Sequence, residues 1–465
     1  MPAAGTAVNV LRGRRRCLAT SGVAIVSLLG VGTHFLTADT DLPAVPVSAA
    51  PTDKLASAQL RTNVATAGGE QHVLSASGGQ ARKSLSILQI GDSHTAADLF
   101  TGMVRQILQE KFGQGGIGYV NVGTPHPGVR SSLLKLTASS GWSYEDIRRS
   151  ARPGAFGLSG FNASTSREGE VLTFASDSPA PYSAIEIEAQ TDPDAGSVVI
   201  EIDDVPVLSA SLAAATAGPK ILEVRPTAGK ASFRRLVVRT GEAKPVAISA
   251  VGIFREGTGV TYSSIGYPGA TVDLLAKFPE KRFVHGLRRL APDIVVLAFG
   301  TNEGFDANLD PAAYRERYAS AIRAIRQALP HARLVMIGPP QGERPVTACK
   351  PAEGRPCPAT NPSAEPPAAT ERQDTCSQRP PQLDQVREVQ LRLAKAERIP
   401  FWDWWAIMPA GCGASRWAAT DPALMSKDRV HFTKAGYRKS AAGFAAFLES
   451  EVKASLRGED AVPNN

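Results

Sequence analysis

Long apolar runs are nearly absent from this chain of 465 residues. Only one, from Cys17 to Leu36, is long enough to matter for a membrane, which excludes a multi-span membrane protein. Cysteine is scarce: there are 5, with no C-x-x-C pair and only long, irregular spacings, so no metal is expected. Excess charge is small as well, at +7, and Arg12, Arg14, Arg15 and Arg16 supply four of those positives ahead of any acid. A nucleic-acid partner calls for a basic patch on the folded domain. Here the basicity sits in a terminal segment, so none is expected. No internal repeat is present. What the chain does have is core-forming material: 43% hydrophobic and 20% charged residues exclude a disordered protein. The length suggests two to three domains at roughly 150 residues each.

The arginines stand directly before the apolar run, the order of a secretory signal. Residues 1–38 read as a signal peptide or an uncleaved signal anchor, and the basic flank orients either form outward. Paired arginines add a weak twin-arginine signature. Cys17 falls inside this segment. The remaining four, Cys349, Cys357, Cys376 and Cys412, suggest two disulfides with three possible connectivities in an exported chain. Three of them stud a Pro-rich loop, 341–381. Cross-links there restrict the unfolded chain and stabilise typically by about 2–4 kcal/mol each.

The stretch 39–82 is rich in Ala, Ser, Thr, Pro and Gly and reads as a flexible linker. A strand is expected at 84–90 and a helix at 95–112, closed by Gly113. From 156 to 256 the texture changes to short β-prone runs at 170–174, 184–189, 197–202, 221–224, 232–238 and 246–254. Turn residues separate them, and the one helical candidate is the Ala-rich 212–217; the whole reads as an all-β sandwich. Strand and helix then alternate again. Strands are expected at 294–299, 334–337 and 399–402, and helices from the Asp310-Pro311 cap to 329, at 383–396 and at 433–456. Such alternation implies a mostly parallel sheet covered by helices. The division is therefore 83–155 and 257–458 for two parts of one α/β domain, the sandwich inserted between them, and a tail at 459–465.

Open α/β sheets place their sites at the carboxyl ends of the strands. Gly91-Asp92-Ser93-His94 sits at such an end, with Ser93 at a helix N-terminus whose free amides favour a developing anion. It is not a G-x-S-x-G elbow, because Thr95 stands two positions after Ser93. Asp428-Arg429-Val430-His431 precedes the last helix, and its spacing of three can bring both side chains into one tight turn. Asp428 would orient His431, and His431 would take the proton of Ser93. Asn302, in Gly300-Thr301-Asn302-Glu303, can donate to an oxyanion from its side chain. Gly269, in Gly266-Tyr267-Pro268-Gly269-Ala270, lets a backbone N–H approach the same point. Asp92 reads as a brace for its turn, and His94 as pointing away from Ser93 toward a pocket rim. Glu303 reads either as a substrate contact or as a support for Asn302. Trp402, Trp404 and Trp405 read as core or as a sugar-stacking platform. His72, His126, His285 and His331 have no partner at a telling spacing.

These blocks, in this order, resemble those of the SGNH hydrolases, also called the GDSL-type esterases and lipases. Gly91-Asp92-Ser93 matches the first block, Gly269 the second, Gly300-Thr301-Asn302-Glu303 the third and Asp428-Arg429-Val430-His431 the last. With Gly115-Gly116-Ile117-Gly118-Tyr119 and Val430-His431-Phe432-Thr433-Lys434-Ala435-Gly436-Tyr437 added, the chain looks like the periplasmic peptidoglycan O-acetylesterases of Gram-negative bacteria. Those also carry an inserted β-sandwich resembling a carbohydrate-binding module. Tyr267-Pro268 departs from the Asn-Gly common in that family.

The resemblance implies a flavodoxin-like parallel sheet with Ser93 as nucleophile, His431 as base and Asp428 as its partner. It implies an oxyanion hole from the Ser93 and Gly269 amides and the Asn302 side chain, and no cofactor. The implied activity is removal of O-acetyl groups from an extracytoplasmic polysaccharide such as peptidoglycan, by a periplasmic, secreted or membrane-anchored protein. Three alternatives stay open on the residues alone: acetyl transfer, action on an exopolysaccharide such as acetylated cellulose, and glycan binding without catalysis.

Overall fold

Seven residues from Leu85 to Gly91 form a strand, β1, buried along nearly its whole length. In this computed structural model the described residues are 85–150, 156–226, 231–257, 259–278, 280–346 and 376–457, all within one unit, Ser75–Asn465. The expected signal or anchor (1–38), the linker (39–82), Cys349, Cys357 and the tail lie outside them. So does most of the 341–381 loop.

After β1 come α1 (Ser93–Ala96), α2 (Leu99–Phe112), β2 (Gly116–Val120), β3 (Lys135–Ala138) and β4 (Ser143–Asp146). The β-rich stretch follows with β5 (Phe161–Thr165), β6 (Val171–Pro181), β7 (Ala184–Thr191), β8 (Ser197–Ile202) and β9 (Val205–Ser211). It ends with β10 (Gly218–Val224), β11 (Ser232–Thr240) and β12 (Val246–Phe254). The chain then returns to alternation: β13 (Val260–Gly266), α3 (Leu274–Lys277), α4 (Glu280–Leu290), β14 (Ile294–Ala298), α5 (Thr301–Gly304), α6 (Pro311–Ala328) and β15 (Arg333–Ile337). Last come β16 (Arg344–Val346), β17 (Cys376–Gln378), α7 (Pro381–Ala396), β18 (Phe401–Trp402), α8 (Gly413–Ala418) and α9 (Lys434–Leu456).

Five strands form the parallel sheet, in the order β13-β1-β14-β15-β18. Side chains of a strand alternate between faces, and each face here meets its own core. Leu88 and Ile90 of β1, with Val295 and Leu297 of β14, pack against Leu287, Tyr314, Tyr318, Ile322, Val386 and Leu393 on α4, α6 and α7. Leu85 and Ile87, with Ile294 and Val296, pack against Phe100 and Val104 of α2 and Phe444 and Leu448 of α9. A sheet covered on both faces needs apolar residues at every position, which is why β14 reads Ile-Val-Val-Leu-Ala without a polar break.

Two antiparallel sheets make the sandwich, β10-β7-β12-β5-β4, with β2 on β12, and β3-β6-β11-β8-β9. Ile185, Ile187, Val251 and Ile253 of the first face Phe174, Val198, Ile200 and Leu236 of the second. Three of these strands, β2, β3 and β4, precede residue 156, so the antiparallel layers draw on chain assigned by sequence to the first part of the α/β domain. The Ala-rich 212–217 is not a helix. Leu212 is fully buried in the sandwich core, and its amide and that of Ala214 donate to Gly196 and Asp192. Six residues are too few to nucleate a helix against that pull.

The helix expected at 95–112 is broken in two. Asp98 adopts the left-handed conformation, φ 51°, between α1 and α2. Asp is one of the few residues that enters it at small cost. Its carboxylate accepts hydrogen bonds from Thr101 Oγ1 at 2.6 Å, Ser132 N at 2.8 Å and the Arg105 guanidinium at 3.0 Å. Arg105 and Asp98 are buried, and Arg105 also donates to the Tyr262 carbonyl of β13. Breaking one side of a buried ion pair strands the other charge, at about 3–5 kcal/mol. Arg105→Met should therefore destabilise the fold by about that amount, read from the urea midpoint. A change under ~1 kcal/mol would mean that Asp98 has other compensation.

Candidate active site

Parallel pairing brings three carboxyl ends to one level. Gly91 of β1 stands opposite Gly266 of β13 on one side and Ala298 of β14 on the other. The chain leaves each strand within a few residues of a singled-out group: Ser93 after β1, Gly269 after β13 and Asn302 after β14. The close approach of α1 to β13 needs a glycine, because a Cβ on Gly266 would lie 2.1 Å from the Ala96 nitrogen.

Asp92 caps α1, its Oδ1 accepting the His94 amide at 3.0 Å, and it also takes hydrogen bonds from Thr301. It therefore ties the β1 end to the β14 end. Ser93 is the first helical residue, and its Oγ lies 2.9 Å from His431 Nε2. His431 Nδ1 lies 2.7 Å from Asp428 Oδ2, while Asp428 Oδ1 accepts the Val430 and His431 amides, each at 3.0 Å. One carboxylate thus holds both the ring and the turn that presents it. The structure brings Ser93, His431 and Asp428 into a single chain of hydrogen bonds.

Among the described residues, the Ser93 and Gly269 amides donate to no backbone carbonyl. Asn302 Nδ2 spends one N–H on the Ala270 carbonyl at 2.7 Å, which fixes its amide and leaves the second N–H. A serine with a base at hydrogen-bond distance and unspent N–H donors at neighbouring strand ends is chemically equipped for acyl transfer.

The carboxyls are tuned in opposite directions. Burial pushes Asp92 up to about 6, against the pull of its hydrogen bonds to His94 and Thr301. Burial also pushes Glu303 up to about 7. For Asp428 burial works the same way, but the hydrogen bonds from His431 and Val430 outweigh it, and the group falls to about 2. The hydrogen bond from Asp428 raises His431 above its ordinary value, against burial, with the charges of Asp428 and Asp92 adding to the rise.

Among the neighbours, His94 differs from its expected place. His94 is not on a rim: it is buried, with Nδ1 3.0 Å from the Tyr437 hydroxyl and its ring 5.4 Å from that of His431. Burial, then the nearby His431 charge, drops it to about 3, so it stays neutral beside the triad. Glu303 is buried and accepts the Val272 amide at 2.8 Å, holding the loop that follows Gly269. Trp402 and Trp404 are core, Trp404 donating to Ser440 Oγ, while Trp405 lies under the Arg379 and Arg387 guanidiniums.

Sequence reasoning missed the clamp on the His431 turn. Arg429 has φ 55°, its carbonyl accepts the Glu343 amide at 3.0 Å, and its guanidinium donates to Ser377 Oγ at 2.6 Å. Buried Glu343 in turn accepts Ser377 Oγ at 2.6 Å and the Ser415 amide at 3.1 Å. The turn is therefore pinned to the β16–β17 pair, the two described ends of the Pro-rich loop, and to α8. Cys412, just before α8, is disulfide-bonded. No short motif announces this cluster, because its members, Glu343, Ser377, Ser415 and Arg429, come from four separate segments.

The GDSL-like Lipase/Acylhydrolase family model matches residues 247–439. No curated protein gives a significant match. Among solved structures, one described as "Peptidoglycan O-acetylesterase in action" matches with a TM-score of 0.64 and 26% identity, over 80% of this chain and 93% of that one. A family two carbohydrate esterase from Clostridium thermocellum, in complex with cellohexaose, covers 69% of this chain and 99% of its own. Its TM-score of 0.29 and 10% identity carry no argument.

Histidine-selective NMR should find His431 titrating above the ordinary histidine value and His94 neutral throughout the range from about pH 5 to 9. Asp428→Asn should move the His431 titration to lower pH, since the stabilising anion is gone. A His431 titration unmoved by that change would contradict the described pair.

Proposed function

We propose that the chain is a carbohydrate esterase of the SGNH, or GDSL-type, hydrolases and that it removes O-acetyl groups from peptidoglycan outside the cytoplasm. Residues 1–38 export it or anchor it facing the wall. Ser93 is the nucleophile, His431 the base and Asp428 the carboxylate that sets the His431 tautomer. The Ser93 and Gly269 amides and Asn302 Nδ2 form the oxyanion hole.

His431 Nε2 takes the Ser93 proton as Oγ attacks the acetyl carbonyl. Negative charge gathers on the carbonyl oxygen, toward the three donors at the strand ends. The tetrahedral species collapses by breaking the bond to the sugar oxygen, which receives the proton from His431. Water then gives a proton to His431 and attacks the acetyl carbon; acetate leaves and Ser93 recovers its proton. The route needs only these groups and water.

The observation that carries the polymer substrate is the openness of the triad. The His431 and Asp428 side chains are 42% and 50% exposed, so an ester on a bulky glycan reaches Ser93 without entering a closed cavity. The name of the 26%-identical structure supports peptidoglycan in particular. A second surface supports glycan holding by the sandwich: a groove of about 750 Å3 lined by polar groups that include Asn162, Ser164, Arg167, Gln190 and Arg282.

The test is acetate release from O-acetylated peptidoglycan and from an acetylated exopolysaccharide, side by side. Release from peptidoglycan should be lost in Ser93→Ala with the fold retained; turnover that survives would refute the assignment. Asn302→Ala should lower kcat by about 100-fold, the usual loss for one oxyanion donor. In wild type, kcat/KM should fall as pH drops through the raised His431 pKa, because only neutral His431 accepts the Ser93 proton. Release from the exopolysaccharide alone would move the substrate and keep the triad.

A further inference from the structure

The segment Tyr267-Pro268-Gly269-Ala270 is a tight turn, closed by the Ala270 amide donating to the Tyr267 carbonyl at 3.0 Å. Proline fixes its own φ near −65°, and Gly269 has φ 77°. Proline at the second position and a positive φ at the third define a type II turn. A type I turn differs by turning over the central peptide, here the one between Pro268 and Gly269. In a trans peptide the C=O and N–H point in opposite directions. Where the Pro268 carbonyl is held therefore decides where the Gly269 N–H points.

That carbonyl is held by Arg148, whose Nη1 donates to Pro268 O. Arg148 is itself fixed. Its Nε and Nη2 bind both oxygens of the Asp146 carboxylate at 3.0 and 2.5 Å, and its carbonyl accepts Lys277 Nζ from α3 at 2.7 Å. A planar fork locked on a carboxylate leaves its remaining N–H with one direction to point. Asp146 ends β4, so the anchor belongs to the antiparallel sheet. Tyr267 is anchored the same way, its ring stacked on Phe161 at 5.0 Å and its hydroxyl donating to the Ser159 carbonyl.

We propose that Arg148 is a positioning residue for the ester-cleaving step: by holding the Pro268 carbonyl it fixes the turn with the Gly269 N–H aimed at the oxyanion. It touches no reacting atom. The sandwich thereby supplies a constraint on the chemistry. This inference rests on the oxyanion role given to Gly269 above, and it accounts for Tyr267-Pro268 where Asn-Gly is common among the related esterases.

The test uses the full chain, a small acetyl ester (p-nitrophenyl acetate) as probe, and Ser93→Ala as control. Arg148→Met removes the donor, and Arg148→Lys keeps one. The inference expects kcat to fall about 10- to 100-fold in Arg148→Met with KM within about twofold, since a misplaced donor weakens only the transition state. Arg148→Lys should recover most of that loss. The acid limb of the pH profile should stay in place, because a displaced peptide leaves the His431 pKa alone.

Several results would overturn the inference. They are kcat within about twofold of wild type in Arg148→Met, a loss confined to KM, a shifted acid limb, or equal loss in both variants with a large drop in Tm. Turnover that survives Ser93→Ala would instead sink the proposed function, whatever Arg148 does.

Discussion

The site depends on the parallel pairing of β1 between β13 and β14. That pairing sets Gly91, Gly266 and Ala298 at one level, so three chain segments leave the sheet side by side. Residues 93, 269 and 302 are far apart in sequence and meet at this edge, where Asp92, Asn302 and Glu303 tie the loops to one another. The pairing is held by apolar cores on both faces of the sheet, and the buried Arg105–Asp98 pair fastens α2 to β13. Stability and site geometry therefore share the same residues.

Around that frame, three carboxyls have different work because of their surroundings. Asp92 and Glu303 are buried and pushed toward the neutral form, and each takes hydrogen bonds from the backbone of another strand-end loop. Asp428 is half exposed and pushed the other way by the His431 pair. The buried two act as ties between loops, while the exposed one keeps its charge and raises His431. Neutral His94, packed between Tyr437 and His431, fills space beside the His431 ring without adding a competing positive charge.

Much of this was legible in the sequence for physical reasons that act locally. The unbroken apolar run of β14 announced a doubly covered strand, and the Asp310-Pro311 cap announced α6, where Asp310 accepts the Ala312 and Ala313 amides. The spacing of three in Asp428–His431 announced their contact. What stayed hidden is long-range. The break at Asp98 depends on Ser132 and Arg105, and Leu212 is drawn from a helix by a core built elsewhere. Strands β2 to β4 are short, and their partners lie in β12, β6 and β5. Arg148 and Glu343 have no motif at all, since they act on turns 120 and 86 positions away in the chain.

In the proposed function, one serine at a shared strand edge carries the chemistry. The most direct measurement is stoichiometric labelling with a fluorophosphonate, which needs both an activated serine and a formed oxyanion hole, followed by peptide mapping and an acetate-release assay on the same sample. With Ser93 as the nucleophile, the label should fall on Ser93 and acetate release should fall in proportion to it. A label on another residue, or release that persists once Ser93 is fully labelled, would contradict that role.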